Sequence, residues 1–262
     1  MNDLNVCLTG LPRAGTTLTC KLLNKLPDTL ALHEPMKSSA FSKANKANAI
    51  CAAVENFFEE TRCAIDASNT VVAKKNGGRR REKVLRRQLQ SPFTLCLKHP
   101  AAFTALLPEL AQSFRCYAII RNPLSVLGSW NRVEMSVQDG HSPAAEMLNP
   151  DLTQRLARLP DKTARQIALL SWYFEQYSRY LSHEKLLRYE DMIASGGKSL
   201  RAVSASAEQL VEPLKSRNRK KRYGYELMQE LGEKLLRSDG AYWQFYSKES
   251  VEAVLQQPMP MK

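Results

Sequence analysis

TGLPRAGTTL, residues 9–18, has the outline of a phosphate-cradling loop, G-x-x-x-x-G followed by two threonines. The lysine that ordinarily follows the second glycine is missing: Thr16 stands there, and Arg13 lies inside the loop. Gly10 and Gly15 allow a tight turn between a strand and a helix, so that successive N–H groups point into one concavity. The helix that follows adds its positive end, and Thr16 and Thr17 add hydroxyl donors. A nucleoside triphosphatase would also need the loop lysine for the outer phosphates and an acidic strand end for magnesium. The strand ends here offer His33-Glu34 and Lys98-His99 instead. The expected ligand is a terminal nucleotide phosphate handled without metal.

Outward from the loop, four short apolar runs read as buried strands: LNVCLTG (4–10), DTLALHE (28–34), FTLCLKH (93–99) and FRCYAIIR (114–121). EKLLRYE (184–190) is a weaker fifth. Helical patterns lie between them, over Thr17–Leu26, Ala102–Gln112, Ser125–Val133 and Lys162–Leu181. The last carries Ile167, Leu170, Phe174, Tyr177 and Leu181 on one stripe. Alternating strands and helices, with strands apolar throughout, predict an α/β fold: a P-loop-like parallel sheet flanked by helices on both faces, in a single domain over 1–262. Ligands on such sheets gather beyond the carboxyl ends of the strands, where both the 9–18 loop and residues 121–130 fall. Residues 65–92 read as an exposed basic hairpin or loop, and 136–162 as a surface excursion or lid.

The chain has 262 residues and a net charge of +12, which calls for acidic company: nucleic acid, an anionic surface or a polyphosphate ligand. Two basic runs, GGRRREK (77–83) and SRNRKKR (216–222), read first as solvated faces. No apolar run reaches the roughly 18 residues of a membrane span, and the N-terminal residues MNDLNVCLTG lack the pattern of a secretory signal. The six cysteines form no CxxC, and Cys7, Cys96 and Cys116 fall in strand-like runs, so reduced thiols in the cytoplasm are expected.

A second anion handle follows the fourth strand. In RNPLSVLGSW, Arg121 closes the strand, Pro123 starts a helix, and Ser129 lies eight positions after Arg121. An arginine at the helix mouth and a serine near its middle can grip one phosphate from two sides.

These pieces resemble the sulfotransferases that use 3′-phosphoadenosine-5′-phosphosulfate (PAPS). GLPRAGTTLTCKLL is similar to the family's 5′-phosphosulfate loop, and YAIIRNPLSVLGSW to its 3′-phosphate motif. LKHPAAFTALLPEL and LLRYEDM (186–192) resemble two further family segments, in family order. The resemblance reaches from residue 4 to about 195; residues 196–262 do not align. It implies that Arg13, Ala14, Gly15, Thr16, Thr17 and Leu18 hold the 5′-phosphosulfate, that Arg121 and Ser129 hold the 3′-phosphate, and that Tyr189 lies near the adenine. Leu18 stands where the cytosolic branch carries a tryptophan, so the match leans towards the tyrosylprotein, glycan and bacterial small-molecule branches.

Sulfuryl transfer needs a base for the acceptor proton and cations for the leaving phosphate. Glu34 is the first base candidate, at the position expected of the branches whose base is a glutamate. Lys98 is placed to face the bridging oxygen and Arg13 to neutralise the phosphate, while His99 competes with Glu34 for the proton. His33 reads as structural. The expected reaction moves the sulfuryl group of PAPS to a hydroxyl or amine of a small metabolite or natural product, releasing PAP, with no metal. A small-molecule or nucleoside kinase is the second reading, and a basic nucleic-acid-binding module without membrane contact the third. The acceptor pocket is expected from 36–64 and 136–180, with Phe41, Phe57, Phe58, Trp172, Tyr173 and Tyr177 among their aromatics.

Overall fold

A computed structural model describes residues 3–37, 41, 47–74, 80–85, 87–218 and 220–257. Seven strands follow one another along the chain: β1 Asn5–Gly10, β2 Thr29–His33, β3 Thr70–Lys74, β4 Arg80–Val84, β5 Thr94–Lys98, β6 Arg115–Ile120 and β7 Leu186–Arg188. Five of them form a parallel sheet in the order β2-β5-β1-β6-β7, while β3 and β4 pair as a separate antiparallel hairpin. Every residue of β1 and β5 is buried, and β2 and β6 each show only one terminal residue that is not. Strands covered on both faces have no solvent side to mark with polar residues, so their sequences do not alternate.

The connections place the site. The chain leaving β1 travels two positions towards the β2 edge, whereas the chain leaving β5 travels two positions the other way, across β1, to β6. Right-handed crossovers running in opposite directions lie on opposite faces. Helix Thr16–Leu23 covers one face and meets helix Tyr189–Ala194, where Thr19 Oγ1 donates to Met192 Sδ at 3.5 Å. Helices Pro100–Ala105, Leu107–Ser113 and Lys162–Tyr180 cover the other, where Thr104 Oγ1 lies 3.0 Å from the Tyr177 hydroxyl. A crevice opens at the carboxyl ends beside β1, where the two directions part.

Some elements differ from expectation. The helix expected over 102–112 is two helices, Pro100–Ala105 and Leu107–Ser113, with Leu106 non-helical between them. Pro108 is the reason: it has no N–H to give, and its ring excludes the carbonyl of Thr104, four residues back. Helices Thr16–Leu23 and Pro123–Trp130 each begin before the expected start, the second because Asn122 caps it by accepting from Ser125 N–H. Helix Ala47–Ser68 runs into the stretch expected as a basic loop, which then turns into the β3–β4 hairpin; Gly77, Gly78 and Arg79 of the basic run lie outside the described residues. The 136–162 excursion is built of short helices, Ser136–Asp139, Pro143–Glu146 and Pro150–Ala157. On the long helix, Leu170, Phe174, Tyr177 and Leu181 are buried as the stripe requires, and Ile167 is half-buried. Among the described residues no helix is long and apolar enough to cross a membrane.

Candidate active site

Each of the five parallel strands delivers one candidate residue at its carboxyl end: Glu34 after β2, Lys98 at the end of β5, Arg13 in the loop after β1, Arg121 after β6 and Tyr189 after β7. All five line one cavity of about 1400 Å³.

The loop after β1 is fixed by contacts that occupy its carbonyls. Leu11 N–H donates to Ile119 O at 3.1 Å, Ala14 N–H donates to Leu11 O at 3.0 Å, and Trp130 Nε1 donates to Pro12 O at 2.8 Å. Arg121 Nη1 donates to Arg13 O at 2.9 Å. With its acceptors occupied, the loop presents donors, which is the electrostatic condition for an anion cradle. Both glycines are required. At Gly10 a Cβ would lie 2.6 Å from Ile119 O, and at Gly15, where φ is +98°, it would lie 2.8 Å from the Tyr189 ring. The first intrahelical bond runs from Thr19 N–H to Gly15 O at 2.9 Å, so the N–H groups of Thr16, Thr17 and Leu18 precede any intrahelical acceptor. Thr16, Thr17 and Leu18 line the cavity, as the loop reading expects. Ala14 does not: its methyl is fully buried and its N–H closes the turn, so it shapes the loop from behind.

Arg13 and Glu34 are two of the three described non-glycine residues with positive φ, at 72° and 46°. Such backbone costs of order 1–3 kcal/mol per residue and persists where surrounding contacts impose it. For Glu34 the contact is its own N–H, which donates to Lys98 O at 2.8 Å. The Lys98 side chain is 2% exposed, and its Nζ lies 3.3 Å from Glu34 Oε1 and 3.0 Å from His33 Nε2. Thr17 Oγ1 lies 3.3 Å from the same His33 nitrogen. His33, expected as structural, thus links the anion loop to the buried lysine. A buried ammonium needs opposite charge and hydrogen bonds in place. Beneath it, burial pushes the Cys20 thiol up to about 11. The thiols of Cys7 and Cys96 are also pushed up by burial, and all six cysteines are unpaired in disulfides.

His99 is built differently. Its Nε2 accepts the Met36 N–H at 3.2 Å, and its ring packs between Phe41 and Phe103 at centroid distances of 5.3 and 4.9 Å. Nε2 being the acceptor puts the ring proton on Nδ1. The unprotonated ring nitrogen is thus committed to backbone.

Arg121 is 4% exposed, and its guanidinium is held by several neighbours while still lining the cavity. Nε donates to Asn218 Oδ1 at 2.7 Å, Nη2 donates to the Tyr223 hydroxyl at 3.0 Å, and the group stacks 4.6 Å above the Tyr189 ring. Ser129 lies at the end of helix Pro123–Trp130 and not at its middle, and its Oγ accepts from Arg13 Nε at 3.3 Å. The expected pair Arg121–Ser129 is therefore joined through Arg13, whose backbone meets one and whose side chain meets the other. Tyr189 has one ring face on Arg121 and its hydroxyl accepts Arg217 N–H at 2.9 Å. Glu190 ties these elements together by accepting from Asn122 N–H, Asn218 Nδ2 and the Tyr246 hydroxyl, at 2.9, 2.6 and 2.8 Å.

The C-terminal part, which lies beyond the sequence resemblance, supplies a wall of the cavity through residues 213–217, Arg222 and Tyr223. The run SRNRKKR is thus no simple solvated face: Ser216, Arg217 and Arg222 face the cavity and Asn218 holds Arg121. A charge run carries no periodicity, so its sequence gave no means of telling a lining arginine from a surface one. The acceptor aromatics also need correction. None of Phe41, Phe57, Phe58, Trp172, Tyr173 and Tyr177 lines the cavity; all but Phe57 are buried in the core, and Phe41 supports His99 from below. The wall opposite the loop comes instead from Met36, from residues 99–102 and from 135–137 and 141–144. Among the described residues no group of three or more His, Cys, Asp or Glu side chains is arranged to hold a metal ion.

No protein-family model matches the chain, and no curated protein matches it. Among solved structures it is similar to the sulfotransferase STF9 from Mycobacterium avium, at 15% identity over 94% of this chain and 77% of that one, with a TM-score of 0.39. A likeness that distant bears on neither site nor substrate.

Proposed function

We propose that this protein is a PAPS-dependent sulfotransferase that acts on a hydroxyl or amine of a small-molecule acceptor. The observation that carries the reading is the buried Lys98 held against Glu34 at the mouth of an anion loop that has lost its lysine. It sets a carboxylate that can take a proton beside a cation that can receive a leaving oxygen. The donor set fits the nucleotide: the loop N–H groups and Arg13 suit the 5′ end, and Arg121 with Ser129 suits a 3′-phosphate. PAPS, when bound, supplies the activated sulfuryl group. Glu34 takes the acceptor proton; its side chain is 27% exposed and lines the cavity. Lys98 and Arg13 offset the charge that grows on the leaving phosphate. His33 positions Lys98 and connects it with Thr17.

The test is direct. Purified protein is titrated calorimetrically with PAP and with AMP, then incubated with ³⁵S-labelled PAPS and a panel of hydroxyl and amine acceptors. Selective PAP binding and labelled acceptor support the reading. Magnesium-dependent ATP binding with no response to PAP would return the loop to a kinase.

A further inference from the structure

The charges lining the cavity are segregated. Every lysine and arginine among the lining residues belongs to 13–21, 98, 121 or 215–222, and residues 135–144 contribute none. What the 135–144 excursion contributes to the lining is instead mainly apolar, through Met135, Val137, Pro143 and Ala144, with two serines, Ser136 and Ser142, and one ionisable side chain, His141. That stretch brings no lysine or arginine to an anionic substrate.

His141 is held as a functional group is held. Its backbone N–H donates to Ser136 O at 3.0 Å across a turn closed by Gly140, where φ is +79° and a Cβ would lie 2.5 Å from Arg165 Cβ. Its Nδ1 lies 3.2 Å from Glu146 Oε2. A carboxylate only accepts, so Nδ1 carries a proton, and in the neutral imidazole Nε2 is left as the acceptor. Glu146 is itself fixed, accepting Ser142 N–H at 2.6 Å. Ser142 Oγ lies 2.9 Å from the Tyr173 hydroxyl, which burial keeps protonated. A carboxylate-oriented imidazole, 40% exposed and lining an otherwise uncharged wall, is a directional acceptor of one hydrogen bond.

We infer that the 135–144 half is the acceptor subsite, and that it takes a neutral, largely apolar small molecule with two hydroxyls: one directed to Glu34 and Lys98, the second donating to His141 Nε2. This deepens the sulfotransferase reading and rests on it for the role of the first hydroxyl. His141 is a specificity-determining residue here, with Glu146 as its positioning partner.

Three naphthalenes of similar body serve as probes: 2-naphthol, 2,6-dihydroxynaphthalene and 6-hydroxy-2-naphthoate. Their affinities are measured by calorimetry on the full chain, with and without saturating PAP. The wild-type protein should bind the diol roughly three- to tenfold more tightly than the mono-ol, the worth of one neutral hydrogen bond, and the carboxylate no better than the mono-ol. His141→Phe should bind diol and mono-ol alike, and Glu146→Leu should lose most of the preference. Equal wild-type affinities, or a preferred carboxylate, overturn the inference without needing any variant to fold. An unchanged diol preference in folded His141→Phe does the same. Absent PAP binding sinks the nucleotide reading separately, since the diol preference is also read without nucleotide.

Discussion

Glu34 and Lys98 are bonded to each other twice. The Glu34 N–H donates to Lys98 O at 2.8 Å, and Lys98 Nζ donates to Glu34 Oε1 at 3.3 Å. The double tie follows from sheet register, because His33 and Lys98 are Cα partners where β2 and β5 end side by side. One residue later the chain leaves β2 in a left-handed turn at Glu34, which brings the carboxylate back over the lysine. Acid–base pair and backbone are thus one unit, and shifting either strand by a residue would separate them.

The Arg121 clasp leads to the first prediction. If this guanidinium holds a 3′-phosphate, PAP should bind about tenfold to a hundredfold better than AMP, the worth of a charge-assisted hydrogen bond. Arg121→Ala should erase that difference while leaving residual binding through the 9–18 loop. Equal affinities for PAP and AMP in the wild type would remove the 3′-phosphate role from Arg121.

Turnover should survive EDTA. Arg13, Lys98 and the first-turn N–H groups of helix Thr16–Leu23 supply positive charge where the leaving phosphate would lie, and β2 and β5 end on His33-Glu34 and Lys98-His99. Initial rates with labelled PAPS, compared before and after chelation, decide this. A rate restored only by magnesium would overturn the metal-free reading.

His99 should matter to stability more than to chemistry. His99→Phe keeps the packing against Phe41 and Phe103 and removes the acceptor of the buried Met36 N–H. Urea titration should show a loss of about 1–3 kcal/mol, the cost of a buried donor deprived of its partner. Turnover per folded molecule should stay within about tenfold of wild type. A fully stable but inactive variant would make His99 the base.

The sheet was legible in the sequence because its strands are buried on both faces, and unbroken apolar runs such as NVCLTG and TLCLK are hard to read otherwise. Glu34, Lys98 and Arg121 stand where such runs end, which places them at one edge of the sheet, whereas Arg13 and Tyr189 entered through the resemblance. What stayed hidden lies in parts without periodicity. His33 differs from an ordinary strand-end histidine only through Lys98, a neighbour 65 residues away, and Asn218 only through Arg121. The aromatics of the long helix were read as pocket-lining, but their spacing equally suits the core, where hydroxyls such as that of Tyr177 find buried partners. The expected helix runs to Val133 and puts Ser129 near its middle; the helix ends at Trp130, which puts Ser129 in its last turn.

The last prediction concerns the base. Glu34→Gln preserves size and leaves an oxygen for Lys98, but removes the carboxylate that can take a proton. Proton removal by a placed side chain typically contributes about a hundred- to ten-thousand-fold in rate. Turnover should fall by that order while PAP affinity, measured by calorimetry, stays within about twofold to threefold. An acceptor with a more acidic hydroxyl should recover part of the loss, since it releases its proton more readily. Lys98→Ala should lower turnover through the other oxygen, so the same acidic acceptor should not rescue it. The two variants therefore separate proton removal from leaving-group stabilisation, although their side chains touch. If acidic acceptors rescue both equally, the bonded pair acts as one buried charge unit and Glu34 is not a base in its own right. If neither variant slows transfer, the chemistry lies elsewhere in the cavity.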